Sequence, residues 1–375
     1  MKVRILSFTA GEGHNQTARA LKEYFELQGD DVAVIDVLGS ASNWMKNFVN
    51  RFYNFAVNHA PAIYKYWYER EDKKTDKSDE LTIRKITQRL VTSEEIKSLV
   101  DQQPDVIIAT QSFAAAMLSD LKHKHLLKAI CVGIITDFTV HPYWEEAYGL
   151  DYYVVPDKAV GFHMERKNLN VQRMLPFGIP IRESFFESVS KEEARQKLGY
   201  DPQKKRVLLM SGSMAHLNVV KIASSIDKIP HDFELTILLD KKQTHRKALE
   251  SLTLKHKVDI EGFVSDIGLY YDASDIVITK PGGLTTSELL AKGKPMIFLQ
   301  PIPGQEQRNV ECLLNQHLAF YATKTFPVEQ LLGMLLDNPE LYESTARRVQ
   351  NTTKHSTKRL VDFLRQKHEE RKGTQ

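Results

Sequence analysis

The sequence predicts an α/β protein of two doubly wound domains facing each other across a central cleft. Three observations predict it. Short runs rich in Val and Ile alternate with segments of helical period: Val3 to Phe8, Val32 to Val37, Asp105 to Ala109, Ile130 to Thr136 and Tyr152 to Val155. Such runs read as buried strands of a parallel sheet covered by helices on both faces. The pattern then restarts with Val207 to Met210, Leu235 to Leu239, Val258 to Ile260, Ile276 to Thr279 and Met296 to Leu299. Between the two series lies Pro176-Phe177-Gly178-Ile179-Pro180, suited to a hinge. The expected domains are residues 1–180 and 181–345, with a C-terminal helix in 346–375 packing back on the first. Sheets of this kind bind ligands beyond the carboxyl ends of their strands.

Composition agrees and removes several function classes. A chain of 375 residues with 42% hydrophobic and 26% charged residues has apolar material for two cores. Lys and Arg number 51 against 48 Asp and Glu, and a net charge of +3 is too mild to argue for nucleic acid. Two cysteines, Cys131 and Cys312, make neither a disulfide framework nor a thiolate metal site, which suits a reducing cytoplasm. No apolar run approaches the ~20 residues of a membrane helix. Met1 to Ala10 runs into a strand without the layout of a signal peptide.

The first strand ends in Gly11-Glu12-Gly13-His14, and a helix follows with Ala18, Leu21 and Phe25 on its buried face. Gly11 and Gly13 allow a tight turn and close approach of a ligand to a helix N-terminus. Gln16 stands where a dinucleotide fingerprint wants a third small residue, which disfavours a dinucleotide-dependent oxidoreductase. Two readings stand for His14: a surface residue of a plain strand-to-helix turn, or an imidazole placed as general base for a hydroxyl. The fourth strand runs into Thr136-Asp137-Phe138 and on to His141-Pro142-Tyr143-Trp144. Asp137 reads as the residue that orients His14, as the base itself, or as a helix N-cap. His141 and Trp144 are candidates for acceptor contact, with ordinary packing as the alternative for Trp144.

Trp44, Phe48, Phe52 and Phe55 share one helical face, flanked by Lys46 and Arg51, and no acidic residue intervenes before Glu69. A basic, aromatic helix of this kind lies in a lipid interface, favoured by anionic lipids; a core helix is the alternative. Residues 344–375 carry nine Lys and Arg against three Asp and Glu. On a terminal helix that reads as a solvated face, with a second membrane contact as the alternative.

In the second half, Ser211-Gly212-Ser213 is another small-residue turn able to hold a phosphate through backbone N–H groups. A stronger set follows. Gly282 and Gly283 close a strand, and Thr285 and Thr286 open a helix whose N-terminus can receive a diphosphate. Glu288, one turn in, can accept both hydroxyls of a ribose. Pro303-Gly304-Gln305-Glu306, with Asn309 beyond, offers polar side chains to a sugar.

These motifs resemble the monogalactosyldiacylglycerol synthase and processive diacylglycerol glucosyltransferase family, relatives of the peptidoglycan N-acetylglucosaminyltransferase. The resemblance runs from Gly11-x-Gly13-His14 through Thr136-Asp137-Phe138 and His141-Pro142 to Lys280-Pro281-Gly282-Gly283 and Pro303-Gly304-Gln305-Glu306. It implies a GT-B fold of two Rossmann-like domains and a UDP-hexose donor. Gly262, Phe263 and Val264 would hold the uracil, Glu288 the ribose, and Arg182, Ser213, Thr285 and Thr286 the diphosphate. Gln305 and Glu306 would hold the hexose, glucose or galactose. The Gly-x-Gly-His turn and the aromatic-basic segment would meet diacylglycerol or a glycosyl-diacylglycerol at a bilayer, from the cytoplasmic side. The implied reaction is inverting transfer giving a β-linked glycolipid. Glu12 departs from the family, where a neutral residue is frequent.

The chain has no Asp-x-Asp pair of the kind metal-dependent glycosyltransferases use, so no metal is expected. Three rival readings share the donor motifs: transfer to a soluble acceptor, a UDP-sugar 2-epimerase, and a non-enzymatic UDP-sugar sensor.

Overall fold

The computed structural model describes residues 1–7, 12–37, 94–211, 218–352 and 355–373. Cα packing divides the chain into two units. The first comprises Met1–Glu183, Ile302–Arg308 and Lys354–Gln375; the second comprises Ser184–Pro301 and Asn309–Thr353.

The first unit holds strands β1 (Lys2–Ser7), β2 (Asp31–Asp36), β3 (Val106–Ala109), β4 (Ile130–Ile134), β5 (Tyr152–Val154) and β6 (Met174–Leu175). They form one parallel sheet in the order β2-β1-β3-β4-β5-β6. Among the described residues, its α-helices before residue 183 are α1 (Glu12–Leu27), α2 (Glu94–Gln102), α3 (Ser112–His123) and α4 (Val160–Arg166). Successive strand residues face opposite sides, so each interior strand feeds two cores. Val3, Ile5, Val106 and Ile108 pack with Ala18, Leu21 and Phe25 of α1. Leu6, Ile107 and Ala109 pack with Ile96 and Leu99 of α2 and Met117 and Leu118 of α3. Residues 32–36 are the exception to the expected buried strands, because β2 forms the sheet edge and mixes exposed with half-buried positions, while Val37 beyond it is buried in the first core.

The second unit holds β7 (Lys205–Met210), β8 (Phe233–Leu238), β9 (Val258–Glu261), β10 (Ile276–Thr279), β11 (Met296–Phe298) and β12 (Phe320–Tyr321), parallel in the order β12-β11-β10-β7-β8-β9. Among its helices are α5 (Lys191–Lys197), α6 (Val219–Ile226), α7 (Arg246–Glu250), α8 (Ile267–Ala273) and α9 (Gly283–Ala291). The chain continues through α10 (Gln305–Asn315), α11 (Val328–Asp337) and α12 (Pro339–Gln350) to α13 (Ser356–Lys372). Two parallel sheets with flanking helices make this a doubly wound α/β protein, as the sequence predicts.

Helix α13 belongs to the first unit. Leu360, Val361 and Leu364 lie fully buried in the α1 face of the first sheet. Its N-terminus is fastened to the segment that follows β6: Ser356 Oγ donates to the Ile179 carbonyl at 2.9 Å and Thr357 Oγ1 to that of Ile181 at 2.5 Å. Gly178 permits this approach. It has φ +94°, and a Cβ there would stand 3.2 Å from Ser356 Cβ.

Trp144 requires a correction. It is 4% exposed in the first core, against Gly133 of β4, where a Cβ would come within 2.7 Å of the indole. Packing, the alternative reading, is where the residue goes, and it has no surface to offer an acceptor. Trp144→Ala is expected to cost about 3–5 kcal/mol of stability, read by denaturant unfolding.

Candidate functional site

In the first unit the strand order reverses at β1: the chain leaves for β2 on one side, while β3 pairs on the other. Loops diverge at such a switch point and leave room for a ligand above the strand ends. His14 lies there, third residue of α1, directly after β1. The β1–β3 register pairs Leu6 with Ala109, bringing Thr110 to the same edge. Thr110 is fixed by its own strand, its N–H donating to the Leu6 carbonyl at 3.1 Å. Ser7 Oγ donates to Asn15 Oδ1 at 2.8 Å and ties the first turn of α1 to the end of β1.

His14 Nδ1 stands 2.7 Å from the Thr110 carbonyl oxygen and 3.2 Å from Thr136 Oγ1. Burial lowers its pKa below the ordinary 6.5, while the charge of Asp137 and the bond to Thr110 oppose that shift. At neutral pH the ring is therefore uncharged, as a base must be. Asp137 itself accepts from Gln305 Nε2 at 2.5 Å, in the Ile302–Arg308 turn that groups with this unit. Thr110 and Thr136 thus fix the ring nitrogen, whereas Asp137 acts on it as a nearby charge.

Other expected residues of this unit have local roles. His141 caps the 3₁₀ turn Pro142–Ala147, its Nδ1 accepting from the Tyr143 N–H at 3.3 Å. Arg182 Nε lies 3.4 Å from Glu23 Oε2, roughly 13 Å along α1 from His14. Glu306 Oε2 accepts from the Ile302 N–H at 2.8 Å and braces the turn in which Gly304 takes φ +87°. Gly13 lies in the first turn of α1. The helix begins at Glu12, so Gly13 and His14 belong to it and not to a loop. Gly11, Trp44, Phe48, Arg51, Phe52 and Phe55 lie outside the described residues.

The second unit repeats the arrangement at β7, which pairs β8 on one side and β10 on the other. Ser211 directly follows β7, and after β10 the chain reaches Gly282, the N-cap of α9, and Gly283, its first residue. Ser211 Oγ and Thr286 Oγ1 are both buried without a hydrogen-bond partner among the described residues. Their residues are 4% and 0% exposed. A buried hydroxyl without a partner is costly. One directly follows β7 and the other lies at the N-terminal end of α9, after the neighbouring β10, an arrangement that suits an anionic ligand. Thr285 is half-buried at the same helix end. Gly212 and Ser213 lie outside the described residues.

Glu288 is held by Tyr271, whose phenol donates to Oε2 at 3.1 Å. Burial, then the Glu288 charge, raises the Tyr271 pKa well above its ordinary 10, so the phenol stays a donor. Asn309 is fully buried, its Nδ2 donating to the Pro281 carbonyl at 3.0 Å. It shapes the turn before α9. At the end of β9, a Cβ on Gly262 would meet Gln243 Nε2 at 2.8 Å, so only glycine leaves the Gln243 amide in place. Phe263 is exposed, with Lys241 Nζ 4.7 Å from its ring centroid, and Val264 is half-buried.

Comparison with known proteins places both units. The family model described as Monogalactosyldiacylglycerol (MGDG) synthase matches residues 14–181, and that of the glycosyltransferase family 28 C-terminal domain matches residues 206–360. The chain belongs to the MGDG synthase family of glycosyltransferases. It is 26% identical over 372 residues to a processive diacylglycerol β-glucosyltransferase of Bacillus pumilus, covering 97% of this chain and 94% of that one. It is 30% identical over 356 residues to a probable chloroplastic monogalactosyldiacylglycerol synthase of Glycine max, covering 91% of this chain and 66% of that one. Among solved structures it resembles MurG of Acinetobacter baumannii, with TM-score 0.63 and 13% identity over 97% of this chain and 99% of that chain. That likeness speaks for the fold, which is GT-B.

Sequence reasoning missed Tyr271 and Gln243 and did not single out Thr110. A signal existed for Thr110, the first residue beyond β3 at a switch point. Nothing in the spacing joins Tyr271 to Glu288, because the two lie on separate helices, α8 and α9, and meet only through the tertiary fold.

Proposed function

We propose that the chain moves a hexose from a UDP-sugar to diacylglycerol or a glycosyl-diacylglycerol, making membrane glycolipid. The observation that carries this reading is the match across 97% of the chain to a protein named for diacylglycerol glucosyl transfer. The geometry adds a neutral imidazole at one switch point and an anion-suited helix N-terminus at the other.

The reaction is direct displacement. The acceptor hydroxyl oxygen forms a bond to the anomeric carbon, and its proton passes to His14. The bond from that carbon to the β-phosphate oxygen breaks, and its electron pair leaves with UDP. Configuration inverts, so an α-linked donor gives a β-linked lipid. Charge gathering on UDP is met by the N-terminus of α9 and the hydroxyls of Ser211, Thr285 and Thr286, fixed before reaction. Glu288, held by Tyr271, takes the ribose, and the strand end at Gly262 to Val264 takes the uracil. Gln305 and the braced turn at Glu306 take the hexose. The acceptor is met at an anionic membrane surface on the cytoplasmic side, through the segment that carries Trp44 to Phe55.

Two outcomes follow. Thr286→Val keeps the shape and removes the unpartnered hydroxyl, so stability holds or rises while UDP affinity falls about tenfold in titration calorimetry. Activity also follows His14 in its sign. Protonation removes the base, so kcat/KM levels off on the alkaline side and falls about tenfold per unit on the acid side, with the midpoint below the ordinary 6.5, read from a pH–rate profile. The acceptor class is tested by offering diacylglycerol in anionic liposomes beside water-soluble alcohols. Transfer to the lipid alone is expected; transfer to the soluble alcohols alone would overturn the assignment.

A further inference from the structure

We propose that Thr136 is a positioning residue for His14: with the Thr110 carbonyl it clamps Nδ1, so that Nε2 is the atom that takes the acceptor proton. The inference rests on the reading of His14 as base.

A carbonyl oxygen only accepts. With the Thr110 oxygen 2.7 Å from Nδ1, that nitrogen carries the ring proton, since the other tautomer would set two lone pairs against each other. Thr136 Oγ1, 3.2 Å from the same nitrogen, then also faces an N–H and acts as its second acceptor. Nε2 is left with the free lone pair. The clamp is rigid on its Thr110 side, where the residue is fully buried and both its N–H and its hydroxyl donate to the Leu6 carbonyl, at 3.1 and 3.3 Å. Asp137 is the ionisable group whose charge His14 feels among the described residues. One of its oxygens is engaged by Gln305.

Many histidine bases are oriented by a carboxylate, which raises their basicity. Two neutral acceptors give the same tautomer with less gain, so the base stays uncharged over more of the pH range. As Nε2 takes the proton, the ring becomes a cation, and both acceptors on Nδ1 bind it more strongly. Thr136 therefore favours the transition state more than the resting ring.

The test uses the full chain with nitrogen-15 in its histidines. The wild-type His14 signal is expected to show the Nδ1–H tautomer at neutral pH. In Thr136→Val the titration midpoint of His14 moves to lower pH, and the acid limb of the rate profile moves with it. In the same variant kcat falls about fivefold with KM for the UDP-sugar unchanged. Thr136→Ser restores all three. A wild-type Nε2–H tautomer, an unmoved midpoint in Thr136→Val, or equal loss in the serine variant would overturn the clamp. The magnetic resonance measurement needs no substrate, so it stands apart from failure of the chain to transfer sugar.

Discussion

Replacing His14 by Ala is expected to lower the transfer rate by about 10²- to 10⁴-fold while UDP binding stays at the wild-type level. The two readouts separate because His14 lies at the β1–β3 switch point of the first unit, whereas the unpartnered hydroxyls Ser211 Oγ and Thr286 Oγ1 belong to the second. His14→Gln is the stricter variant, since it keeps a polar side chain of similar reach and still cannot take a proton at neutral pH. A glutamine variant that retains wild-type kcat would remove His14 from the chemistry. Loss of UDP binding in either variant would instead mean that the first turn of α1 supports the donor site.

The second large effect is on folding. Leu360, Val361 and Leu364 are each fully buried against the first sheet, although the sequence separates them from β1 by more than three hundred residues. Leu364→Ala is expected to cost about 2–5 kcal/mol. Leu360→Asp places an unpaired carboxylate in the same core and unfolds the first unit at room temperature. Thermal unfolding followed by circular dichroism reads both. Lys372→Ala, on the exposed end of α13, is the control and leaves the transition where it was. A Leu364→Ala variant that melts with the wild type would show that α13 does not hold the first sheet.

Interior strands were the most legible part of the sequence. Ile107, Ile108, Val132, Ile278 and Ile297 sit where both strand faces are covered, and that demand writes itself as a continuous β-branched run. Edge strands carry a weaker record. β2 alternates, β9 is half-buried throughout, and two-residue β6 and β12 are too short for any period to show.

At the candidate site, spacing gave positions but not uses. His14, Thr286 and Glu288 could be placed in the opening turns of helices that leave strand ends because strand, glycine and helix follow in order. The same spacing could not say that Glu306 would turn back onto the Ile302 N–H, that Asn309 would bond Pro281, or that Arg182 would meet Glu23. Those outcomes depend on which backbone donor or counter-charge the packing leaves nearest. Trp144 shows the ambiguity of a large aromatic beside a polar motif: the deciding fact is the missing side chain at Gly133, eleven residues away.

The central claim is tested most directly by incubating the chain with radiolabelled UDP-glucose or UDP-galactose and liposomes containing diacylglycerol, then counting label in the lipid phase. The account predicts labelled glycolipid from one of the two donors, lost in His14→Ala. UDP-sugar binding with no labelled lipid from either donor would contradict it, and would turn attention to soluble acceptors, epimerisation or sensing.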